Sequence, residues 1–446
     1  MAKTTQINSR EIALKILYQI ETQNAYAGEA IQFCCRNLFL SSLDRRFIGE
    51  MVHGSTKMRR RLDYVLELFL AEKLEGLTPW IRNILRMGIY QIDFMEKVPE
   101  SAAVDESVKL AKKYGHKGTV ALVNAVLRSY LRDKSKVVFP SWEEDKVENI
   151  ALFYSFPSWM VERWLEIFGE EKTLKLCDSF NQRPRLSLRV NSLKIEPKDL
   201  EEKFNQEKIK FKPGRFLKNF YTIESKMDLY HFSPLQEGWI YFQDESAGFP
   251  VVLLDPQPGE GILDLCAAPG GKATFIAEKM KDRGTVIAVD ISSKKLETIK
   301  ENCERLGIES VKVCCADARN FLSQPVDRIL LDAPCSALGT LGRNSDARWR
   351  KQKEDIPRLQ KLQLEILSHA AKLLKSGGIL VYSTCTIMPE ENEQVIYRFL
   401  EKRKDFKQAD GHLFVDSNVV GEKGFVRTLP QVHKTDGSFA CRLEKT

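Results

Sequence analysis

Apolar positions recur at helical spacing through about the first 135 residues. Ile12, Ile16, Leu17 and Ile20 share one helical face, and Ser9 stands where it can cap that helix. Ile81, Ile84, Leu85, Gly88, Ile89 and Ile92 form a second stripe, and Ser101, after Pro99, opens a further helix. The stretch TVALVNAVLRSYL (119–131) brings Val123, Val126, Leu127 and Tyr130 onto one face. These stripes are read as core. A middle segment, 137–235, opens with an aromatic-rich helical part around Trp142, Phe153, Tyr154, Phe156, Trp159, Trp164 and Phe168. PRLSLRVNSLK then alternates like a strand, with Leu186, Leu188 and Val190 on one side.

From Trp239 the period changes. Short buried-strand runs appear at GILDL (261–265), TVIAVD (285–290), VKVCCAD (311–317), DRILLDAP (327–334) and GILVYSTC (378–385), with helical stretches between them. Strands alternating with helices predict a doubly wound α/β sheet, whose ligands bind at the carboxyl ends of the strands. The expected organisation is an all-α part over 1–136, a small α+β segment over 137–235, and a Rossmann-like α/β domain over 236–446.

Composition adds three points. The chain has 446 residues, too many for one core, and its 43% hydrophobic and 29% charged content excludes a disordered chain. A net charge of +7 tilts the protein toward polyanions. The basic clusters at Arg45–Arg46, at Lys57 with Arg59, Arg60 and Arg61, and at Lys109, Lys112, Lys113 and Lys117 favour an RNA-facing surface over a merely solvated one. The ten cysteines include no CxxC, so neither a disulfide framework nor a metal site is expected. MAKTTQINSREIALKIL lacks the apolar core of a signal peptide, and no apolar run reaches the roughly 18 residues that span a bilayer. A cytoplasmic protein without membrane contact is the expectation.

The candidate chemistry lies at the strand ends. After Asp264 the chain runs through Cys266, Ala267, Ala268, Pro269, Gly270, Gly271 and Lys272, where two glycines let backbone approach a ligand closely. The loop matches neither a dinucleotide fingerprint nor a P-loop, which places a nicotinamide oxidoreductase well behind. Asp290 ends the next strand, suited to two ribose hydroxyls, and Asp317 with Ala318 follows the third, suited to an adenine edge. Three acidic residues in register after a glycine loop point to a nucleoside-bearing cofactor. Cys335 and Cys385 then fall just past two further strand ends, beside Asp332, Ser336, Ser383 and Thr384.

DLCAAPGGK, DAPCS and STC, in that order, resemble the signature of the RNA 5-methylcytosine methyltransferases of the RsmB/NOP family. LRMGIYQIDFMEKVPESAAVDESVKLAKKYG and VNAVLR resemble the NusB-type helical RNA-binding domain, and the likeness covers essentially the whole chain. It implies a Rossmann-like S-adenosylmethionine-dependent methyltransferase domain behind a NusB-like domain and a small α+β segment. S-adenosyl-L-homocysteine is the implied product, and the partner is small-subunit (16S) ribosomal RNA, unpaired or not yet assembled. The loop 266–272 with Asp290, Asp317 and Asp332 would hold the cofactor, and Lys272 would reach the cofactor or the base. Cys385 would attack carbon 6 of cytosine, Cys335 would assist release, and Asp332 would act on the base as a protonated acid. A thiolate adding at carbon 6 makes carbon 5 nucleophilic enough to take a methyl group. A monomer is expected. Thr386 stands where the family usually has serine, and Ser438, in the closing strand, where an aromatic is frequent. The readings that compete are a transfer RNA or large-subunit RNA substrate, and a non-catalytic ribosome-assembly factor. The second is disfavoured because both thiols and the loop are present.

Overall fold

The computed structural model describes residues 8–36, 38–225 and 232–446. Residues 1–7, part of the start read for a signal peptide, and 226–231 of the middle segment lie outside the described residues. The chain forms two compact units. One comprises Met1–Asn181 with Leu341–Arg350, the other Gln182–Thr340 with Lys351–Thr446.

The first unit is helical. Its opening helix, Ser9–Thr22, is capped by Asn8, whose side chain accepts the Glu11 amide, and not by Ser9 as its sequence suggests. Ser9 is the first helical residue and donates instead to Asp44 at 2.6 Å. Asn8 caps because its oxygen is the one that reaches a free first-turn amide. Thr78 and Pro79 open Pro79–Phe94, where cap and fixed φ act together. Its stripe is buried as read, with Ile84, Leu85 and Ile89 inaccessible. Each such side chain contributes about 1.5–3 kcal/mol through burial. The next helix, Glu100–Tyr114, begins directly after Pro99, one residue before Ser101, and Lys117–Arg132 follows.

One basic cluster departs from expectation. Lys57 is buried, Arg60 pairs with Glu148 at 2.7 Å, and Arg61 lies over the rings of Phe94, Phe139 and Phe153. These cations are part of the packing rather than of an RNA-facing surface. Lys109, Lys112, Lys113 and Lys117 are exposed, as that surface requires.

The second unit carries two sheets. A four-stranded antiparallel sheet takes β1 (Leu186–Val190), β2 (Phe211–Pro213), β3 (Phe220–Ile223) and β4 (Ile240–Phe242) in the order β2-β3-β1-β4. The alternation read in β1 is real, yet its other face is covered too: Ser187 and Arg189 are buried. The Arg189 guanidinium, fully buried, meets Glu278 at 2.7 Å and donates to the carbonyl of Gly271 at 3.0 Å. A charge is tolerated there only because it is paired and hydrogen-bonded.

The larger sheet holds β5 (Gly261–Leu265), β6 (Thr285–Asp290), β7 (Val311–Cys315), β8 (Val326–Asp332), β9 (Leu374–Thr384), β10 (Phe406–Gln408), β11 (Val426–Thr428) and β12 (Ser438–Lys445). Its order is β10-β12-β9-β8-β5-β6-β7, with β11 beside β12. Strands β5 to β9 pair in parallel, and β12 joins β9 antiparallel. Ile262–Leu265 and Ile329–Leu331 are inaccessible, which explains why they read as continuous apolar runs. Strand order reverses between β5 and β8, and at such a switch point the carboxyl ends open into a ligand crevice. No described helix is long and apolar enough to cross a membrane.

Candidate active site

The loop after β5 turns sharply because its backbone is unusual at two places. Cys266 has φ +62° and Gly270 φ +96°, and a Cβ on Gly270 would lie 3.1 Å from Ile299. The positive φ favours glycine there, and the space beside Ile299 is tight for any side chain. The loop is tied to β6 by two hydrogen bonds: the amide of Ala267 donates to the carbonyl of Val289, and the amide of Ala268 to Asp290. Asp290 also accepts the amide of Ser292 at 2.9 Å, so backbone amides aim its carboxylate across the loop. Beside it Ile291 is 72% exposed, an apolar face that a purine ring would cover. Asp317, two residues past β7, is held by the amide and guanidinium of Arg319, whose Nη2 stands 2.6 Å away.

Beneath the loop lies Asp264, fully buried, with neither carboxylate oxygen partnered. Burial pushes its pKa up to about 8, the charges of Asp332 and Asp290 add to this, and Lys272 opposes it. An orphan carboxylate under a glycine loop fits the ammonium end of an amino-acid-bearing cofactor. With Asp290 for hydroxyls and Ile291 for a ring, the residues suit a nucleoside joined to an amino acid. Sequence reasoning named Asp264 only as a strand end, although its place before the loop was visible.

Lys272 and Asp332 meet at 2.5 Å, and Ser383 donates to the other Asp332 oxygen at 2.9 Å. Burial lowers the Lys272 pKa, but Asp332, Cys385 and Asp264 outweigh it and the net shift is upward. The ammonium therefore stays charged, and Cys385 lies within its field. Both Asp332 oxygens act as acceptors here.

Cys335 and Cys385 come together with their sulfurs 3.4 Å apart. The Cys335 pKa is pushed well above the usual thiol range by its hydrogen bond to Cys385, then by burial and by the charges of Cys385 and Glu391. Cys335 thus keeps its proton and can donate it toward the Cys385 sulfur. Around the pair is a buried polar network of Ser336, Gln363, Thr386, Glu391 and Asn392, all inaccessible; sequence reasoning named Ser336 and Thr386 and missed Gln363, Glu391 and Asn392. Its signal was the PEEN run after the second cysteine. Among the described residues no cluster of His, Cys, Asp and Glu could hold a metal ion. The chemistry on offer is that of two adjoining thiols beside an ammonium–carboxylate pair and a cofactor cradle.

Comparison with known proteins matches the description "16S rRNA methyltransferase RsmB/F" to residues 251–444. The NusB family matches residues 7–132, and the "Methyltr_RsmF/B-like, ferredoxin-like domain" residues 156–230. A probable ribosomal RNA small subunit methyltransferase B of Bacillus subtilis is 36% identical, covering 98% of each chain. One from Synechocystis is 37% identical over 98% of this chain and all of its own. The crystal structure of PH0851 superposes with TM-score 0.83 at 28% identity, covering 99% of both chains. That of NSun6 from Pyrococcus horikoshii with SFG gives TM-score 0.59 at 25% identity, over 66% of this chain and 99% of that one.

Proposed function

Because the chain belongs to the RsmB/F family of 16S rRNA methyltransferases, we propose that it methylates carbon 5 of a cytosine in small-subunit ribosomal RNA. Cys385 is the covalent nucleophile in this reading. The relatives' names carry the ribosomal RNA substrate, and SFG, an S-adenosylmethionine analogue bound by NSun6, supports the cofactor. The observation that carries the chemistry is the pair of sulfurs 3.4 Å apart beside Lys272 and Asp332.

Bound S-adenosylmethionine supplies an electrophilic methyl group on a sulfonium. Asp264, Cys266, Ala267, Ala268, Pro269, Gly270, Gly271, Asp290 and Asp317 would hold it, Asp264 by its ammonium and Asp290 by its ribose hydroxyls. Cys385, as its thiolate, adds to carbon 6 of the base. The carbon 5–carbon 6 π pair is thereby freed to act as the nucleophile at carbon 5. Asp332 accepts from the exocyclic amine, the edge by which carboxylates read cytosine, and Lys272 donates to N3 or O2. After transfer the carbon 5 proton leaves to a base, the double bond re-forms and Cys385 departs with its electron pair. Cys335, in contact with that sulfur, is the group placed to return a proton to it. The base must leave its stack to reach both thiols, so unpaired RNA is the substrate form. Exposed lysines 109, 112, 113 and 117 favour the phosphate backbone.

The test is transfer from methyl-labelled S-adenosylmethionine to small-subunit ribosomal RNA, with the modified base identified by mass spectrometry. Label on carbon 5 of one cytosine is expected. Label on an exocyclic nitrogen, or none, overturns the reading.

A further inference from the structure

Two adjacent residues touch the chain on either side of the thiol pair. Glu391 accepts the backbone amide of Ser336 on one oxygen at 2.8 Å and the Ser336 hydroxyl on the other at 2.5 Å. Ser336 directly follows Cys335. Gln363 donates to Glu391 at 3.0 Å and to the carbonyl of Pro334, on the other side of Cys335, at 2.9 Å. Asn392 accepts from the hydroxyl of Thr384 at 2.6 Å and donates to the carbonyl of Thr386 at 3.0 Å, the two residues that flank Cys385. The Ser336 and Thr386 hydroxyls meet at 2.8 Å and close the ring between the two loops. Tyr382 anchors the clamp from β9 through a 2.6 Å bond to the Glu391 carbonyl.

We propose that Glu391 and Asn392 are positioning residues that set the spacing of the two thiols, Glu391 gripping the Cys335 loop and Asn392 the Cys385 loop. The inference deepens the two-thiol reading above and rests on it. Neither residue reaches a reacting atom. Each fixes backbone next to a sulfur, and because they are consecutive the two grips cannot drift apart. Burial makes the grip stiff, since a displaced donor or acceptor there finds no water to replace its partner. Burial also raises the Glu391 pKa, and the donors from Ser336, Gln363 and Thr386 offset this only in part. Misplacement of reacting groups by about 1 Å costs on the order of 100-fold in rate, which gives the clamp its value.

The experiment treats the full-length protein with a short bifunctional thiol reagent and measures the Cys335–Cys385 bridge by mass spectrometry. Glu391→Leu removes the acceptors of Ser336 and Gln363, and Asn392→Ala removes both bonds to the Cys385 loop. Bridging in these variants falls several-fold relative to single labelling of the same cysteines, while S-adenosylhomocysteine binding is retained. Thr386→Val, which removes one hydroxyl without emptying the core, lowers bridging too, and Thr386→Ser restores it. With RNA, kcat falls about 100-fold and KM stays near its native value. Native-level bridging in all three disruptive variants overturns the proposal. The bridging assay needs no RNA, so loss of the methylation reading would show separately, as native protein that bridges but transfers no methyl.

Discussion

The two halves of the catalytic crevice are built on different plans. On the side of β5, β6 and β7 the functional groups are carboxylates: Asp290 and Asp317 are aimed by backbone amides, and Asp264 has no hydrogen-bond partner. On the side of β8 and β9 they are thiols, with Ser336, Thr386, Gln363, Glu391 and Asn392 bonded around them into a closed, dry network. The first half is complementary to a ligand that brings its own donors. The second is complete in itself and fixes a distance. A cofactor site can be finished by its ligand, whereas a covalent site has to be in register before the base arrives.

The largest expected effect separates the halves outright. Cys385→Ala lowers methyl transfer roughly 10⁴-fold, as loss of a nucleophile does, while calorimetry finds S-adenosylhomocysteine bound as in the native protein. A parallel loss of binding would show that the halves are not independent. Next comes the support under the loop. Glu278→Leu strands the Arg189 charge in the interior and costs about 3–5 kcal/mol by denaturant unfolding. An unchanged midpoint would remove Arg189 from the account of how the cradle is held.

Asp264 gives the pH signature of the first half. Its folded pKa of about 8 lies above the roughly 3.9 of an unfolded aspartate, so the folded state binds more protons between those values. The stability tied to its proton is complete below about pH 4 and is lost as pH rises through about 8. Asp264→Asn therefore flattens the fall in melting temperature between pH 5 and 9 and raises stability at the alkaline end by on the order of a few kcal/mol. Native and variant curves that run parallel would refute this. The smallest effect concerns Thr386. Thr386→Ser keeps the hydroxyl that meets Ser336, costs about 0.8 kcal/mol for the buried methyl group, and leaves turnover near native. A large drop in turnover would mean that the methyl group, and not the hydroxyl, serves the thiol half.

The contrast also explains what the sequence disclosed. Strands β5 and β6 could be read to the residue because buried parallel strands leave largely apolar runs with glycine at their edges, broken in β5 only by Asp264. Asp290, Asp332, Cys335 and Cys385 could be found because each follows such a run. The members of the four-stranded sheet other than β1 span three or four residues, too few for alternation to show. Arg189 was hidden because its partner, Glu278, lies far along the chain. The basic run at 57–61 misled for a similar reason, since a cation that stacks on aromatics or pairs with Glu148 looks in sequence like a solvated one. Glu391 and Asn392 stood in plain view in the PEEN run, but only the fold brings them against Ser336 and Thr384. The candidate residues at the strand ends carry local signals, whereas residues that hold other residues are seen only in three dimensions.

The central claim is that Cys385 attacks and Cys335 releases. Cys335→Ala, incubated with small-subunit ribosomal RNA and S-adenosylmethionine, should accumulate a nuclease-sensitive covalent protein–RNA species on denaturing gels. The same species should be absent from Cys335→Ala/Cys385→Ala. An adduct that persists in the double variant, or none in the single one, would contradict the two-thiol mechanism.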